Sequence, residues 1–175
     1  MPASEINDFG FKRLSVENWL TVDPAWAGVV MSASLPDKAQ AWVHDLSQTT
    51  LTTSAPLTIR KLFETARGTL VYSLMFYPLL ALGAEQLFRV LEASASFKCK
   101  EMAAPAKKSR TFENKINWLA ENGVIAAHQK PRWHAIRHLR NDTSHPKDQN
   151  IYNAAMALMV LDAAVELIAP LFGAT

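Results

Sequence analysis

The chain is poor in the residues that build several common kinds of site. Its single cysteine, Cys99, can form no internal disulfide and cannot supply a cysteine-based zinc site within one chain, so a reducing compartment suits it. Glycine is scarce as well, with six residues scattered along the chain. No Gly-rich phosphate loop, Gly-x-Ser-x-Gly elbow, Cys-x-x-Cys pair or internal repeat occurs, which withdraws support from nucleotide-hydrolase, serine-hydrolase, dithiol and solenoid readings. The start, Met1-Pro2-Ala3-Ser4-Glu5, has neither the basic residues nor the apolar run of a secretory signal, so a cytoplasmic protein is expected.

What the chain does have is apolar bulk and an uneven charge. At 175 residues and 49% hydrophobic content it is long enough for one sizeable core, and a single globular unit is expected. The net charge is only +2, yet residues 96–147 hold eleven Lys and Arg against four Asp and Glu. The flanking segments are mildly acidic. Such a basic middle segment suits an anionic partner such as RNA, or it simply solvates a loop around Lys98, Lys100, Lys107, Lys108 and Arg110.

The periodicity predicts an all-α protein, an up-and-down helical bundle. Residues 1–55 carry Phe9, Phe11, Trp19, Trp26 and Trp42 among prolines and a Ser/Thr run, without a sustained period. They read as an N-terminal extension of short helices and loops packed on a bundle formed by residues 56–175. Val16–Leu20 and Lys38–Leu46 are candidate two-turn helices, with Ser15 and Asp37 as caps.

From Leu57 to Phe97 the pattern predicts one long helix or two nearly collinear ones, broken near Tyr77 by Pro78 and weakened at Gly68 and Gly83. Gly68–Ala84 is uncharged and approaches the length of a membrane span, but the central Pro78 and the continuation into Glu85-Gln86 favour a buried core helix, and no membrane partner is expected. A helix over Phe112–Asn122 follows, with Thr111 as N-cap and Gly123 as its left-handed stop. Pro131 opens another, which places Trp133, Ile136 and Arg140 on one face, and Pro146 ends it between Arg140 and His145. An apolar helix over Gln149–Leu171 closes the chain.

The segment Arg140-Asn141-Asp142-Thr143-Ser144-His145 is the strongest candidate site. Arginine stays charged and grips phosphate through paired N–H donors, while histidine titrates near neutrality and serves as acid or base. This Arg-x4-His spacing, with a polar residue directly after the arginine, resembles the motif of the HEPN superfamily. The stretch Ile136–Pro146 is similar to HEPN domains of bacterial toxin and defence systems. The family's motif allows four to six residues between the two, so Arg132 and His138 give a second match, one that lacks the polar follower. The order of long helix, glycine-stopped helix, motif helix and final apolar helix agrees with the family over about residues 57–172; residues 1–55 have no counterpart.

The resemblance implies an endoribonuclease needing neither metal nor cofactor, with catalytic Arg140, His145 and Asn141 and an RNA-binding set of Lys107, Lys108, Arg110, Arg137 and Lys147. RNA cleavage without metal needs a base for the 2′-hydroxyl, an acid for the leaving 5′-oxygen and cations for the phosphate. One Arg and one His supply half of that set. A homodimer pairing two motifs completes it, and a protein partner such as an antitoxin is a further expectation. The other reading of the same residues is a capped helix end, with Arg140 paired to Asp142 or to a carbonyl, in a catalytically inactive dimerisation or interaction module. Lys147 stands where the toxin branch commonly has a tyrosine that is modified. Glu85 is a candidate for the family's helix-borne acid near the motif. His134 and His138, at i and i+4, form an incomplete metal pair, and Trp133 either stacks a base or fills the core.

Overall fold

The fold is built around one long apolar helix with neighbours on several sides. The computed structural model describes residues 6–7, 10–28, 35–143 and 153–173, and most of these residues are helical. Six α-helices are described: α1 (Leu35–Gln48), α2 (Leu57–Tyr72), α3 (Leu79–Glu101), α4 (Phe112–Glu121), α5 (Lys130–Thr143) and α6 (Ala154–Ile168). Short 3-10 turns cover Pro24–Gly28, Ala106–Lys108 and Ala169–Phe172. Among the described residues there is no strand, only an isolated antiparallel bridge between Ile6 and Lys12. The protein is an all-α bundle.

Helix α3 packs against α2, α4, α5 and α6. Its buried residues include Leu80, Ala84, Leu87, Leu91 and Ala95, and also Gly83 and Val90, so more than one side of the helix is covered. Phe63, Phe88, Leu119, Trp133 and Leu161 complete the same core. Each such side chain contributes about 1.5–3 kcal/mol when fully buried.

The expectation of one helix, or two collinear ones, over 57–97 is corrected. The chain turns over Ser73–Pro78, and α2 and α3 fold back on each other as a hairpin. Pro78 sits at the N-cap of α3, where a missing N–H costs nothing. Gly83 marks a close approach in this hairpin: a Cβ there would lie 2.5 Å from Leu70 Cδ2 and 3.3 Å from the Leu70 backbone nitrogen. Gly68 interrupts nothing, because α2 runs through it.

The turn is tied down by the N-terminal segment. Lys12 Nζ donates to the carbonyls of Thr21 (2.6 Å) and Met75 (3.1 Å). The Asp23 backbone N–H donates to Leu74 O (2.7 Å), and its carboxylate accepts from the N–H of Tyr77 (2.8 Å) and of Ala25 (2.9 Å). Indole N–H groups finish the work, Trp26 donating to Ser73 O and Trp42 to Leu70 O, both at 2.9 Å. A reversal between two helices leaves backbone groups without helical partners, and buried ones must be paired. Burial pushes the Tyr77 hydroxyl above its ordinary pKa, with the negative charge of Asp23 adding to the effect.

Two further local readings change. Val16–Leu20 is a set of turns instead of a helix, closed by Asn18 Oδ1, which accepts from Ser15 N–H. Lys38–Leu46 lies inside α1, which is longer than two turns. In contrast α4 starts and stops as its signals indicate: Thr111 accepts from Asn114 N–H (3.1 Å) and Gly123 has φ +73°. The final helix starts at Ala154, capped by Asn153 Oδ1 on Met156 N–H, while 149–152 lie outside the described residues. The span considered at Gly68–Ala84 is divided between α2 and α3. Among the described residues one stretch, Ala154–Phe172 with mean hydropathy 2.0, is long and apolar enough to cross a membrane. Its inner side packs on α3, and its outer stripe of Ala155, Met159, Asp162 and Glu166 carries two carboxylates.

Candidate functional site

The last turn of α5 holds Arg140 and Asn141, and the helix runs on to Thr143. A cation there is favoured by the negative end of the helix dipole. Ser144, His145, Pro146 and Lys147 lie outside the described residues.

Arg140 meets an acid from the central helix. Its Nη2 lies 2.8 Å from Glu92 Oε2, and the other carboxylate oxygen of Glu92 lies 3.2 Å from Lys115 Nζ on α4. One carboxylate is therefore shared by two cations from two different helices. The side chains are graded in exposure, 13% for Lys115, 25% for Glu92 and 38% for Arg140, so the cluster runs from the interior to the surface with Arg140 outermost. Glu92, and not Glu85 two turns earlier, is the helix-borne acid that reaches the motif arginine.

Helices α4 and α5 run antiparallel beside it. Arg137 Nη1 is 3.5 Å from Glu113 Oε2 in the first turn of α4, and His134 Nε2 is 3.3 Å from Asn117 Oδ1 one turn further along. Arg137 Nη2 also donates to His138 Nε2 at 2.9 Å, which requires that ring nitrogen to be unprotonated. His134 and His138 are thus turned to different partners. Burial, followed by the positive charges of Arg137 and Lys130, holds His134 below the ordinary histidine pKa, against a smaller opposing effect of Glu113. Trp133 is fully buried and packs edge-on against Phe112 with ring centroids 6.2 Å apart, so it belongs to the core and cannot stack a base. Burial likewise raises the Cys99 thiol, so it stays protonated near neutral pH; the opposing influence of Lys115 is smaller.

The basic residues expected to meet RNA are dispersed. Lys107 and Arg110 are exposed and, among the described residues, make no ion pair. Lys108 reaches Glu121 Oε2 at 3.3 Å, at the far end of α4 from the Glu113–Arg137 pair, about 12 Å along the helix. Arg137 is mostly buried, its side chain 16% exposed.

Sequence reasoning missed Glu92 and Lys115. A signal existed for the first: a carboxylate among Leu87, Phe88, Val90 and Leu91 on a core helix demands a partner, since an unpaired buried charge is costly. Nothing in the sequence says which cation answers it.

Residues 86–171 match the family model described as a domain of unknown function, DUF4145. The matched region contains Glu92, Lys115, Arg140 and His145 together, along with nearly all of α3 to α6. No curated protein and no solved structure matches the chain.

Proposed function

We propose that the protein is a HEPN-type endoribonuclease or toxin-like RNA-binding protein of a bacterial defence or toxin–antitoxin system, acting without metal in the cytoplasm as a homodimer. The functional unit in this reading is residues 56–175, with residues 1–55 as an extension. The observation that carries it is the Glu92–Arg140 pair: an arginine held by an acid from the core helix, at a position still open to solvent, five residues before a histidine. Orienting a guanidinium this way suits phosphate recognition, because the fork of donors must be aimed before the anion arrives. Arg140 grips the scissile phosphate, Asn141 orients the Arg140–His145 pair by hydrogen bonding, and His145 from each protomer supplies base and acid. Lys107 and Arg110, exposed and without an ion pair among the described residues, contribute the strand-binding charge along with Lys108, Arg137 and Lys147.

The test is cleavage of labelled RNA in EDTA by wild type, Arg140→Ala and His145→Ala. The expected result is cyclic-phosphate ends from wild type and a loss of about a hundredfold or more in both variants, the range for removing an acid–base group. Equal cleavage by all three overturns the proposal.

A second reading, a catalytically silent interaction module that binds a protein partner such as an antitoxin, is favoured by one feature. The turn at Leu14, Val16, Trp19 and Leu20 shows these side chains 55–85% exposed, on a backbone fixed by Ser15 and Asn18. Large apolar groups grouped in solvent commonly mark a contact surface.

A further inference from the structure

The loop that joins α1 to α2, together with the first two turns of α2, borders an open cavity of about 530 Å³, a volume in the range of small-molecule sites. It lies within residues 50–65, outside the matched region 86–171 and outside the residues assigned to catalysis or RNA. Leu51, nearly buried, and Leu57, 58% exposed, give it an apolar lining. Arg60 and Lys61 bring two adjacent cations to the same space.

Those cations are unanswered. Arg60 Nε–H donates to the Ala55 carbonyl (3.1 Å), and among the described residues its two Nη nitrogens have no partner. Lys61 pairs with no described acid either. Glu64, the carboxylate of the lining, is taken by Arg67 Nε at 3.1 Å, and Arg67 is held in turn by the Ser47 carbonyl (3.1 Å). The hydroxyls of Thr50 and Thr53 also line the cavity and make no bond among the described residues. The loop itself is fixed, because Thr52 and Ser54 share a hydroxyl bond (2.8 Å) and Ala55 N–H donates to the Thr52 carbonyl (3.1 Å). Donors on a fixed frame lose little entropy when a ligand arrives.

We propose that this cavity binds a small phosphate monoester, its head on Arg60 and Lys61 and its organic body against Leu51 and Leu57. The proposal stands independently of the RNA reading. A monoester carries about two negative charges near neutral pH and three terminal oxygens, which suits a guanidinium fork, an ammonium and hydroxyl donors together. A carboxylate or a phosphodiester brings one charge and two free oxygens, and leaves one of the cations unanswered.

The experiment measures binding of phenyl phosphate, phenol and inorganic phosphate to the full chain by calorimetry, and follows the Arg60 Nε–Hε and Lys61 N–H resonances by 15N NMR. Phenyl phosphate should bind at least about tenfold more tightly than phenol or inorganic phosphate, since head and body both contribute, and both resonances should move. Lys61→Met should weaken it about tenfold, and Arg60→Lys, which keeps the charge and removes the fork, about fivefold. Lys61 makes no side-chain bond to the described residues, so Lys61→Met carries the test even if Arg60→Lys disturbs the loop. Phenol binding as tightly as phenyl phosphate overturns the proposal, as does unchanged binding in Lys61→Met or an absence of binding. Inorganic phosphate binding as tightly as phenyl phosphate overturns the claim of an organic ligand and marks a free-phosphate site.

Discussion

Two regions of this molecule bury charge, and they do so in opposite ways. At the α2–α3 turn, Lys12 and Asp23 are 2% and 0% exposed and bond to backbone carbonyls and N–H groups. At the α3–α4–α5 junction, Lys115 and Arg140 each pair with the Glu92 carboxylate, and exposure rises toward Arg140. Backbone partners have nowhere to go, so the first set is fixed and serves the fold. Side-chain partners at a surface edge can be exchanged for a ligand, which is what a binding site needs. The difference teaches that the kind of partner, more than burial itself, separates a charge locked into the fold from one whose partner can be exchanged.

The sharpest way to break that comparison is Asp23→Ala. It strands the N–H groups of Tyr77 and Ala25, and the expected cost is about 3 kcal/mol, read from the urea midpoint. RNA affinity of the folded protein should not change. Gly83→Ala comes next, at about 2 kcal/mol from overpacking against fully buried Leu70. Glu92→Gln provides the contrast. Its pairs are partly exposed, so stability should shift by no more than about 1 kcal/mol, while RNA cleavage falls well beyond what that loss of folded protein explains. Equal behaviour of Asp23→Ala and Glu92→Gln in both measurements would erase the distinction.

The smallest effect concerns His134. Its folded pKa lies below 6.5, so below about pH 6.5 the unfolded chain binds more protons than the folded one. Stability therefore falls as pH drops through that region and levels off once the folded form is also protonated. His134→Gln should flatten this acid-side slope in thermal melts taken between pH 7 and 5.

The helices that carry their own punctuation were legible in the sequence. Thr111, Glu113 and Gly123 bracket α4 with local chemistry that needs no tertiary partner, and α4 lies where they place it. The α2–α3 hairpin was legible only as a break, because a proline says that a helix is interrupted and not in which direction the chain leaves. The aromatics of residues 1–55 showed no period for a physical reason. Trp26 and Trp42 act through indole N–H bonds to single carbonyls of a distant turn, and such bonds leave no repeat. At the candidate site Arg140 and Asn141 were readable from local spacing, whereas Glu92 and Lys115 arrive from helices 48 and 25 positions earlier in the chain. Long-range ion pairs are chosen by packing.

The most direct measurement of the central claim is RNA cleavage by mixtures of wild-type and His145→Ala chains. If two protomers share one site, equal mixing leaves about a quarter of the dimers with both histidines, so activity per wild-type chain falls to roughly half. Activity that stays proportional to the wild-type chains present, or a wild-type protein that cleaves no RNA at all, contradicts the account.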